Sequence, residues 1–260
     1  KGICTFNFII LLSATSSGSS ESSLAGAFVI FLRSNSGISF EISCKQDLIH
    51  QAVDYANKNI CYGDQNLENP GKVSNGKFFG KHDCNTAHYP NLRDDNFFNE
   101  VEKSKVLLKL AKAYLGKKAK PIAIQMWWSF PRPSSVEEKS KAAQIFHRDL
   151  DDFKFAKFFI YLTDVEKDDG PHVYVKKSHK PNFKDTLRDK FLIHRVEDKN
   201  ISKRFKESDV AEIHGKAGTI FFEDTYGYHK GMPPTKKARL LMCIVMATID
   251  YKVQYFQHQV

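Results

Sequence analysis

The chain has 260 residues, 42% of them hydrophobic and 13% aromatic, which is enough to bury a substantial hydrophobic core. Lysine and arginine outnumber aspartate and glutamate by 39 to 30, and the resulting net charge of +9 favours anionic partners. The basic residues are scattered and form no nucleic-acid-binding motif, so no nucleic-acid partner is expected.

The five cysteines show neither a CxxC pattern nor the spacing of a structural zinc site. This argues against a disulfide framework and favours a reducing, cytoplasmic location. Residues 1–40 contain two short apolar segments around a serine-rich spacer, and we predict a poorly ordered or leader segment there. Neither segment approaches the ~20 residues that cross a bilayer, so no stable membrane insertion is expected. A targeting role for the first segment would instead imply an exported or organellar protein. Residues 41–260 are predicted to form one domain.

Apolar residues at helical spacing predict an amphipathic helix over Lys45–Ile60 and a longer one over Asn96–Gly116, with Gly116 as its C-cap. The first helix is expected to pack against the core, and the second to support a sheet. The intervening residues 61–90 are rich in Gly, Asn and Lys and lack periodicity, which predicts a solvated loop. Its His82, Cys84 and His88 match no tetrahedral metal site.

The second half of the chain is dominated by strand patterns. Alternation over Pro121–Pro131 predicts a strand that places Gln125 and Trp127 on one face, as substrate or cosubstrate contacts or as part of an aromatic core. The charged stretch Asn182–Ser208 is predicted to be a helix-and-loop insertion. Further strands are predicted at 153–163, 211–213, 219–223 and 239–249. The pattern predicts a mainly β fold with flanking helices (α+β), built on a jelly-roll core, the double-stranded β-helix of cupin-like proteins.

A histidine and an aspartate, His147 and Asp149, stand two residues apart beside this apolar strand region. In an extended strand such residues point the same way and can bind one ion together. Two imidazoles and one carboxylate form the facial triad of non-heme Fe(II) oxygenases, which leaves three coordination positions open. His229, which follows another strand-like run, is the candidate third ligand.

Arg239 comes ten residues after His229 and alternates with apolar neighbours. On the inner face of a strand its guanidinium would need an anionic partner, and a carboxylate suits its two-pronged geometry.

The order and amino-acid sequences of these motifs resemble those of the phytanoyl-CoA dioxygenase-like family of Fe(II)/2-oxoglutarate-dependent oxygenases. The resemblance covers about Ile122–Ile249, and it is carried by the His-x-Asp pair, by YLTDVEKDDGPHVYVKKSHK (161–180) and by DTYGYHKGMPP (224–234). It implies Fe(II) held by His147, Asp149 and His229, with 2-oxoglutarate and O2 as cosubstrates. It also implies that Gln144 hydrogen-bonds the oxoacid, in addition to the contact expected from Arg239.

The implied reaction couples decarboxylation of 2-oxoglutarate to succinate with hydroxylation of a small or lipid-like organic substrate, anionic or neutral. Asp149 favours hydroxylation over halogenation, because related halogenating enzymes carry a small residue at that position. Two other functions remain open: a cupin-like metal enzyme that does not use 2-oxoglutarate, and a noncatalytic basic binding module. The oligomeric state is undetermined.

Several polar residues near the motifs are predicted to lie outside the metal site. Asp151 and Asp152 could be additional ligands but are predicted to be surface carboxylates, and His172 and His179 are predicted to lie on a strand edge and in a loop. Basic residues of the insertion, predicted to be solvated although they could meet an anionic substrate, are Arg188, Lys190, Arg195 and Arg204.

Overall fold

The structure, a computed structural model, describes residues 46–149, 154–179 and 195–250, together with the backbone of three two-residue strands before residue 46. The strands are β1 (Ile10–Leu11), β2 (Val29–Ile30), β3 (Ile42–Ser43), β4 (Cys61–Gly63), β5 (Pro70–Ser74), β6 (Lys77–Gly80), β7 (Thr86–His88), β8 (Lys120–Ser129), β9 (Phe155–Tyr161), β10 (His172–Val175), β11 (Val210–Ile213), β12 (Thr219–Glu223), β13 (His229–Gly231) and β14 (Arg239–Ala247). The α-helices are α1 (Gln46–Lys58), α2 (Asn96–Glu102), α3 (Lys105–Leu115), α4 (Val136–Lys141) and α5 (Asp198–Ser202), and two 3-10 helices span Leu92–Asp94 and Glu207–Asp209.

A nine-stranded antiparallel sheet, in the order β3-β12-β9-β14-β8-β7-β4-β5-β6, is the main layer. Its central strands β9 and β14 read as nearly continuous apolar runs because both of their faces are covered. On the outer face, residues such as Phe158 and Met242 pack against buried side chains of α1, α2 and α3. The helices therefore pack against the core and support the sheet, as the sequence predicted.

The inner face of this sheet carries a second apolar cluster, with Phe159, Phe221 and Cys243 at its centre. Strand register aligns the inward side chains in rows across the sheet: Glu223 with Lys157 and Val245, Phe221 with Phe159, Cys243 and Gln125, and Tyr161 with Leu241, Trp127 and His88. Polar and charged groups therefore stand on a mostly apolar concave surface.

A three-stranded antiparallel sheet, ordered β11-β10-β13, lies across the concave face. His172 on β10 hydrogen-bonds Glu223 on β12, and the backbone of Gly231 on β13 lies close to Arg239 on β14. The two sheets thus enclose a cavity, and the mainly β jelly-roll prediction is confirmed.

The prediction of a solvated loop over residues 61–90 is wrong. Four short strands, β4 to β7, form hairpins that extend the main sheet and bring His88 beside Trp127. Positive backbone φ angles at Asp64, Gln65, Asn75 and Gly76 make the tight turns. The strands lack a hydrophobic pattern because β5 and β6 form a largely solvated sheet edge.

The helix predicted over Asn96–Gly116 is two helices, because Ser104 has extended ψ and begins a new helix as its N-cap. The predicted C-cap is confirmed: Gly116 has φ +104, and its N–H donates to the carbonyl of Lys112. Most of the leader segment lies outside the described residues, as does 180–194 of the insertion. None of the described helices has the length and apolarity needed to cross a membrane.

Candidate metal centre

A cavity of about 620 Å³ lies between the two sheets. It contains all three predicted metal ligands, the predicted cosubstrate residue Arg239 and the predicted substrate residues Gln125 and Trp127. Residues separated by more than a hundred positions in the sequence therefore line one enclosed space.

The backbone brings the predicted metal ligands together. His147 and His229 form an isolated antiparallel bridge, in which each backbone N–H donates to the carbonyl of the other at 3.0 Å. The backbone N–H of Asp149 donates to the carbonyl of Thr225 at 2.9 Å, so both ends of the His-x-Asp pair are tied to the segment that carries His229. The carboxylate oxygens of Asp149 lie 3.7 Å from Nε2 of His147 and 3.5 Å from Nε2 of His229.

The hydrogen bonds of the two imidazoles orient their other nitrogen atoms. Nδ1 of His147 donates to the carbonyl of Ile145 at 3.0 Å, and Nδ1 of His229 donates to the carbonyl of Gly227 at 2.9 Å. Each Nε2 then faces Asp149, which is the arrangement that metal-binding histidines commonly show. One ligand atom from each of the three residues lies within 4.8 Å of the others.

Electrostatics support ion binding at this point. Burial and the neighbouring His229 hold the pKa of His147 well below its usual value, so this imidazole is neutral. Burial alone would raise the pKa of Asp149, but Lys157 and His229 outweigh it and hold that pKa well below its usual range. Burial acts to lower the pKa of His229, yet Asp149 raises it above the ordinary value. The cluster therefore attracts positive charge, and an ion could replace the proton on His229.

Arg239 is buried at the cavity wall without a carboxylate partner among the described residues. It is 3% exposed, and its guanidinium donates to the carbonyl of Gly170 and, at 3.2 Å, to Oγ of Ser129. Its Nε is buried and has no hydrogen-bond partner in the described part of the chain. Burial lowers the pKa of Arg239, which shows that its environment disfavours the charged form. A buried guanidinium without an anion indicates a site for one.

The wall opposite Arg239 leaves room for such an anion. Gly231 lines the cavity, and a Cβ atom placed on it would lie 2.9 Å from Nη2 of Arg239. Any larger residue would press against the guanidinium. The orphaned Nε, the missing side chain at Gly231 and the two-histidine, one-carboxylate donor set together fit Fe(II) with a bound oxoacid.

Gln125 and Trp127 line the cavity on β8, as the strand parity predicted. His88 stacks on Trp127 with ring centroids 5.6 Å apart, and its Nε2 lies 3.1 Å from Oγ1 of Thr86. Burial lowers the pKa of His88 to about 3, so the ring is neutral. His88 was not predicted as a cavity residue, because residues 61–90 were expected to form a loop.

Three further residues beside the candidate metal ligands were not predicted to be part of the site. His172 lines the cavity and stacks on His229 with ring centroids 5.6 Å apart, and its Nε2 lies 2.8 Å from Oε2 of Glu223. Nζ of Lys157 donates to Oδ2 of Asp149 at 2.7 Å. Lys157 and Glu223 are lone charged residues at inward positions of apolar strands, and that parity was the signal available in the sequence. His172 is outside the group of three possible ligands, as predicted, but it is buried against the site.

The other predicted residues are less closely associated with the cavity. Gln144 is buried and its Oε1 lacks a partner among the described residues, but its neighbours Ala142 and Ala143 line the cavity instead. Arg195 lines the cavity, whereas Arg204 donates to the hydroxyl of Tyr228 and does not line it. Of the remaining residues considered, His179 is buried and does not line the cavity, while Asp151, Asp152, Arg188 and Lys190 lie outside the described residues.

Comparison with known proteins agrees with this geometry. The sequence model described as phytanoyl-CoA dioxygenase (PhyH) matches residues 62–239. HygX from Streptomyces hygroscopicus, solved with nickel and 2-oxoglutarate, is similar with a TM-score of 0.56 and 14% identity over 85% of this chain and 89% of HygX. AviO1 from Streptomyces viridochromogenes Tue57 gives a TM-score of 0.51 and 16% identity over 82% of this chain and 90% of AviO1.

The 2-oxoglutarate-dependent epimerase SnoN from nogalamycin biosynthesis gives a TM-score of 0.51 and 13% identity, over 82% of this chain and 77% of SnoN. At these identities the solved structures establish the shared fold. No curated protein matches the chain.

Proposed function

The chain belongs to the phytanoyl-CoA dioxygenase family of non-heme enzymes that use Fe(II), 2-oxoglutarate and O2, and we propose that it hydroxylates a small organic substrate with release of succinate and CO2. The proposal assigns Fe(II) to His147, Asp149 and His229. It assigns the far carboxylate of 2-oxoglutarate to Arg239, with Gln144 as a further contact. The observation that carries it is the presence, in one cavity, of three oriented ligands and a buried guanidinium that lacks an anion.

The metal and its oxoacid would supply the oxidant for the unactivated C–H bond, and the protein would supply orientation and exclusion of water. His147 and His229 present Nε2 because the carbonyls of Ile145 and Gly227 hold Nδ1. Arg239 binds the distal carboxylate because its planar donors match two oxygens at once. The inward aromatic side chains, among them Phe159 and Trp127, limit the access of water to the reacting centre.

The remaining cavity wall supports a compact polar substrate, which we assign to Gln125 and Trp127. Thr86, His88 and Gln125 offer neutral hydrogen-bonding groups beside the flat Trp127 ring. Arg195 adds a positive charge at the cavity, which favours a carboxylate or phosphate on the substrate. The sequence alone also allowed a lipid-like substrate, but this polar wall favours a small molecule. HygX has been solved with hygromycin B and SnoN with nogalamycin RO, which supports a small organic ligand.

Epimerisation is a second candidate reaction, because SnoN shares the fold and is an epimerase. The two reactions are distinguished by the product, since hydroxylation adds one oxygen atom to the substrate and epimerisation leaves its mass unchanged. A metal enzyme that does not use 2-oxoglutarate would leave the buried Arg239 without a ligand. A noncatalytic binding module would explain neither the burial of Arg239 nor the common orientation of the three candidate ligands.

Anaerobic titration of the purified protein with Fe(II), and then with 2-oxoglutarate, tests the proposal directly. We expect one Fe(II) per chain, followed by the weak visible charge-transfer band of an oxoacid chelated to iron. Admission of O2 should then release succinate and CO2 in equal amounts. Iron binding without any effect of 2-oxoglutarate would contradict the proposal and favour the cupin-like alternative. Failure to bind iron, with salt-dependent binding to polyanions, would favour the binding module.

A further inference from the structure

Lys157 occupies an unusual position for a lysine. It lies on the inner face of β9 between the inward aromatic residues Phe155 and Phe159, and its side chain is 13% exposed. Burying an ammonium group among aromatic side chains is costly unless an anion compensates it. Asp149, whose side chain is 17% exposed, provides that anion at 2.7 Å. A buried cation thus contacts the one carboxylate among the three metal ligands.

The contact makes the two oxygens of Asp149 unequal. Oδ2 accepts the hydrogen bond from Lys157 at 2.7 Å and lies 3.5 Å from Nε2 of His229, while Oδ1 accepts no hydrogen bond from Lys157 and lies 3.7 Å from Nε2 of His147. A carboxylate can bind a cation through one oxygen or through both. If both oxygens of Asp149 bound the ion, they would occupy one of the three positions that a facial triad leaves open. An oxoacid that binds through two atoms would then compete with the protein's own ligand.

We propose that Lys157 is a positioning residue that reserves Oδ2 of Asp149, so that this carboxylate gives the ion a single oxygen and the cosubstrate positions stay open. This inference rests on the proposed function, because it concerns how the same site accepts 2-oxoglutarate. Lys157 contacts a ligand of the ion and acts through it. Lys157 also lines the cavity, where its positive charge could attract the dianionic cosubstrate directly. This direct charge effect has to be separated from the effect of Lys157 on Asp149.

The chain offers a matched control for that charge effect. Lys141 also lines the cavity, but it is exposed and pairs with Glu137 at 2.8 Å instead of with a metal ligand. Lys141→Met therefore removes a lysine charge from the cavity and leaves Asp149 untouched. Lys157→Arg keeps a cationic donor at the position, and Lys157→Met removes it.

The experiment measures Fe(II) affinity and 2-oxoglutarate affinity separately, under anaerobic conditions, on the full chain. Fe(II) affinity comes from competition with a chromophoric chelator, and 2-oxoglutarate affinity from the charge-transfer band. For Lys157→Met we expect 2-oxoglutarate affinity at least about tenfold weaker, at the lower end of the loss that changes beside a metal ligand typically cause, and a smaller loss of Fe(II) affinity. Lys157→Arg and Lys141→Met should both stay within about threefold of the parent in both affinities.

Three results would overturn the inference: unchanged 2-oxoglutarate affinity in Lys157→Met, loss of iron as severe as in Asp149→Ala, or an equal loss in Lys141→Met. If Lys157→Met fails to fold, Lys157→Gln replaces it, because its shorter amide does not reach Asp149 as the lysine does. The same selective loss is then expected. A parent protein that binds iron and shows no band would instead contradict the proposed function, so the two failures are distinguishable.

Discussion

Replacement of Arg239 by methionine tests the charge at the far end of the cavity. Methionine fills much of the same volume, and it removes the guanidinium that donates to Gly170 and Ser129. In the parent protein the guanidinium is 3% exposed and its Nε has no partner in the described chain. The proposed function requires this group to bind a carboxylate, so its loss should weaken 2-oxoglutarate binding specifically.

The expected magnitude follows from the burial of the site. A hydrogen bond to a charged group contributes about 1.5–3 kcal/mol, and a two-pronged pair in a buried site should contribute at least about 3 kcal/mol. Since each 1.4 kcal/mol corresponds to a factor of ten, the dissociation constant for 2-oxoglutarate should rise on the order of 100-fold. Arg239→Lys should fall between the parent and Arg239→Met, because it keeps the charge and loses the planar fork.

The stability of the metal-free protein should change much less. Methionine removes a buried charge, which favours folding, and loses two hydrogen bonds, which opposes it. These effects offset each other, so we expect the free energy of unfolding to stay within about 2 kcal/mol of the parent value. A protein that loses cosubstrate affinity and keeps its stability has lost a binding group and not its fold.

The assay is titration of the anaerobic Fe(II) protein with 2-oxoglutarate, monitored by the charge-transfer band, with urea unfolding in parallel. Lys236→Met is the control, because this substitution removes the same formal charge close to the start of β14. Lys236 lies at the surface and pairs with Asp168 there. If Arg239→Met bound 2-oxoglutarate within about twofold of the parent, the assignment of Arg239 would be refuted.

His147→Ala and His229→Ala should each abolish stoichiometric Fe(II) binding and with it the charge-transfer band; retention of one iron per chain by either variant would show that the ion lies elsewhere. Burial raises the pKa of Glu223 to about 8, from an ordinary carboxyl pKa of 4.5. Between these two pH values the folded apoprotein keeps a proton on Glu223 that the unfolded chain has released. The free energy of unfolding should therefore fall as pH rises from about 4.5 to about 8. Glu223→Gln cannot titrate, so its urea unfolding midpoint should fall less than that of the parent across this pH range. Parallel pH profiles for variant and parent would contradict the assignment of the decline to Glu223. Gln125→Leu and Trp127→Ala should leave Fe(II) and 2-oxoglutarate binding in place while raising KM for the substrate; loss of the charge-transfer band in either would mean that these residues hold the cosubstrate instead.

Local parity made the metal pair predictable. Residues two apart in an extended segment face the same way, so His147 and Asp149 could be paired without knowledge of the fold. The same alternation placed Gln125 and Trp127 on one face of β8, and the run at Arg239–Ala247 indicated a buried strand with a charge at its inner end. The candidate third ligand, His229, was predicted only from its downstream position and the family resemblance.

Contacts between residues of different strands could not be predicted from the local sequence pattern. The tertiary structure decided that Lys157 contacts Asp149 and that His172 stacks on His229, because these neighbours come from different strands. It also decided that residues 61–90 contain strands, since β7 pairs with β8 and the strands β4, β5 and β6 then add to β7 in turn. That segment has no hydrophobic period because its outer strands β5 and β6 are largely solvated, with Val73 as the one buried residue of the two.

The sequence by itself therefore determined which groups are available for chemistry: an imidazole and a carboxylate that can bind one ion together, a lone arginine in an apolar strand and a chain rich in strand patterns. Only the tertiary structure decided how that chemistry is enclosed. Side-chain direction along one strand follows from backbone geometry, which is local. The identity of the residue across a cavity depends on how two sheets pack, which no single stretch of the chain specifies.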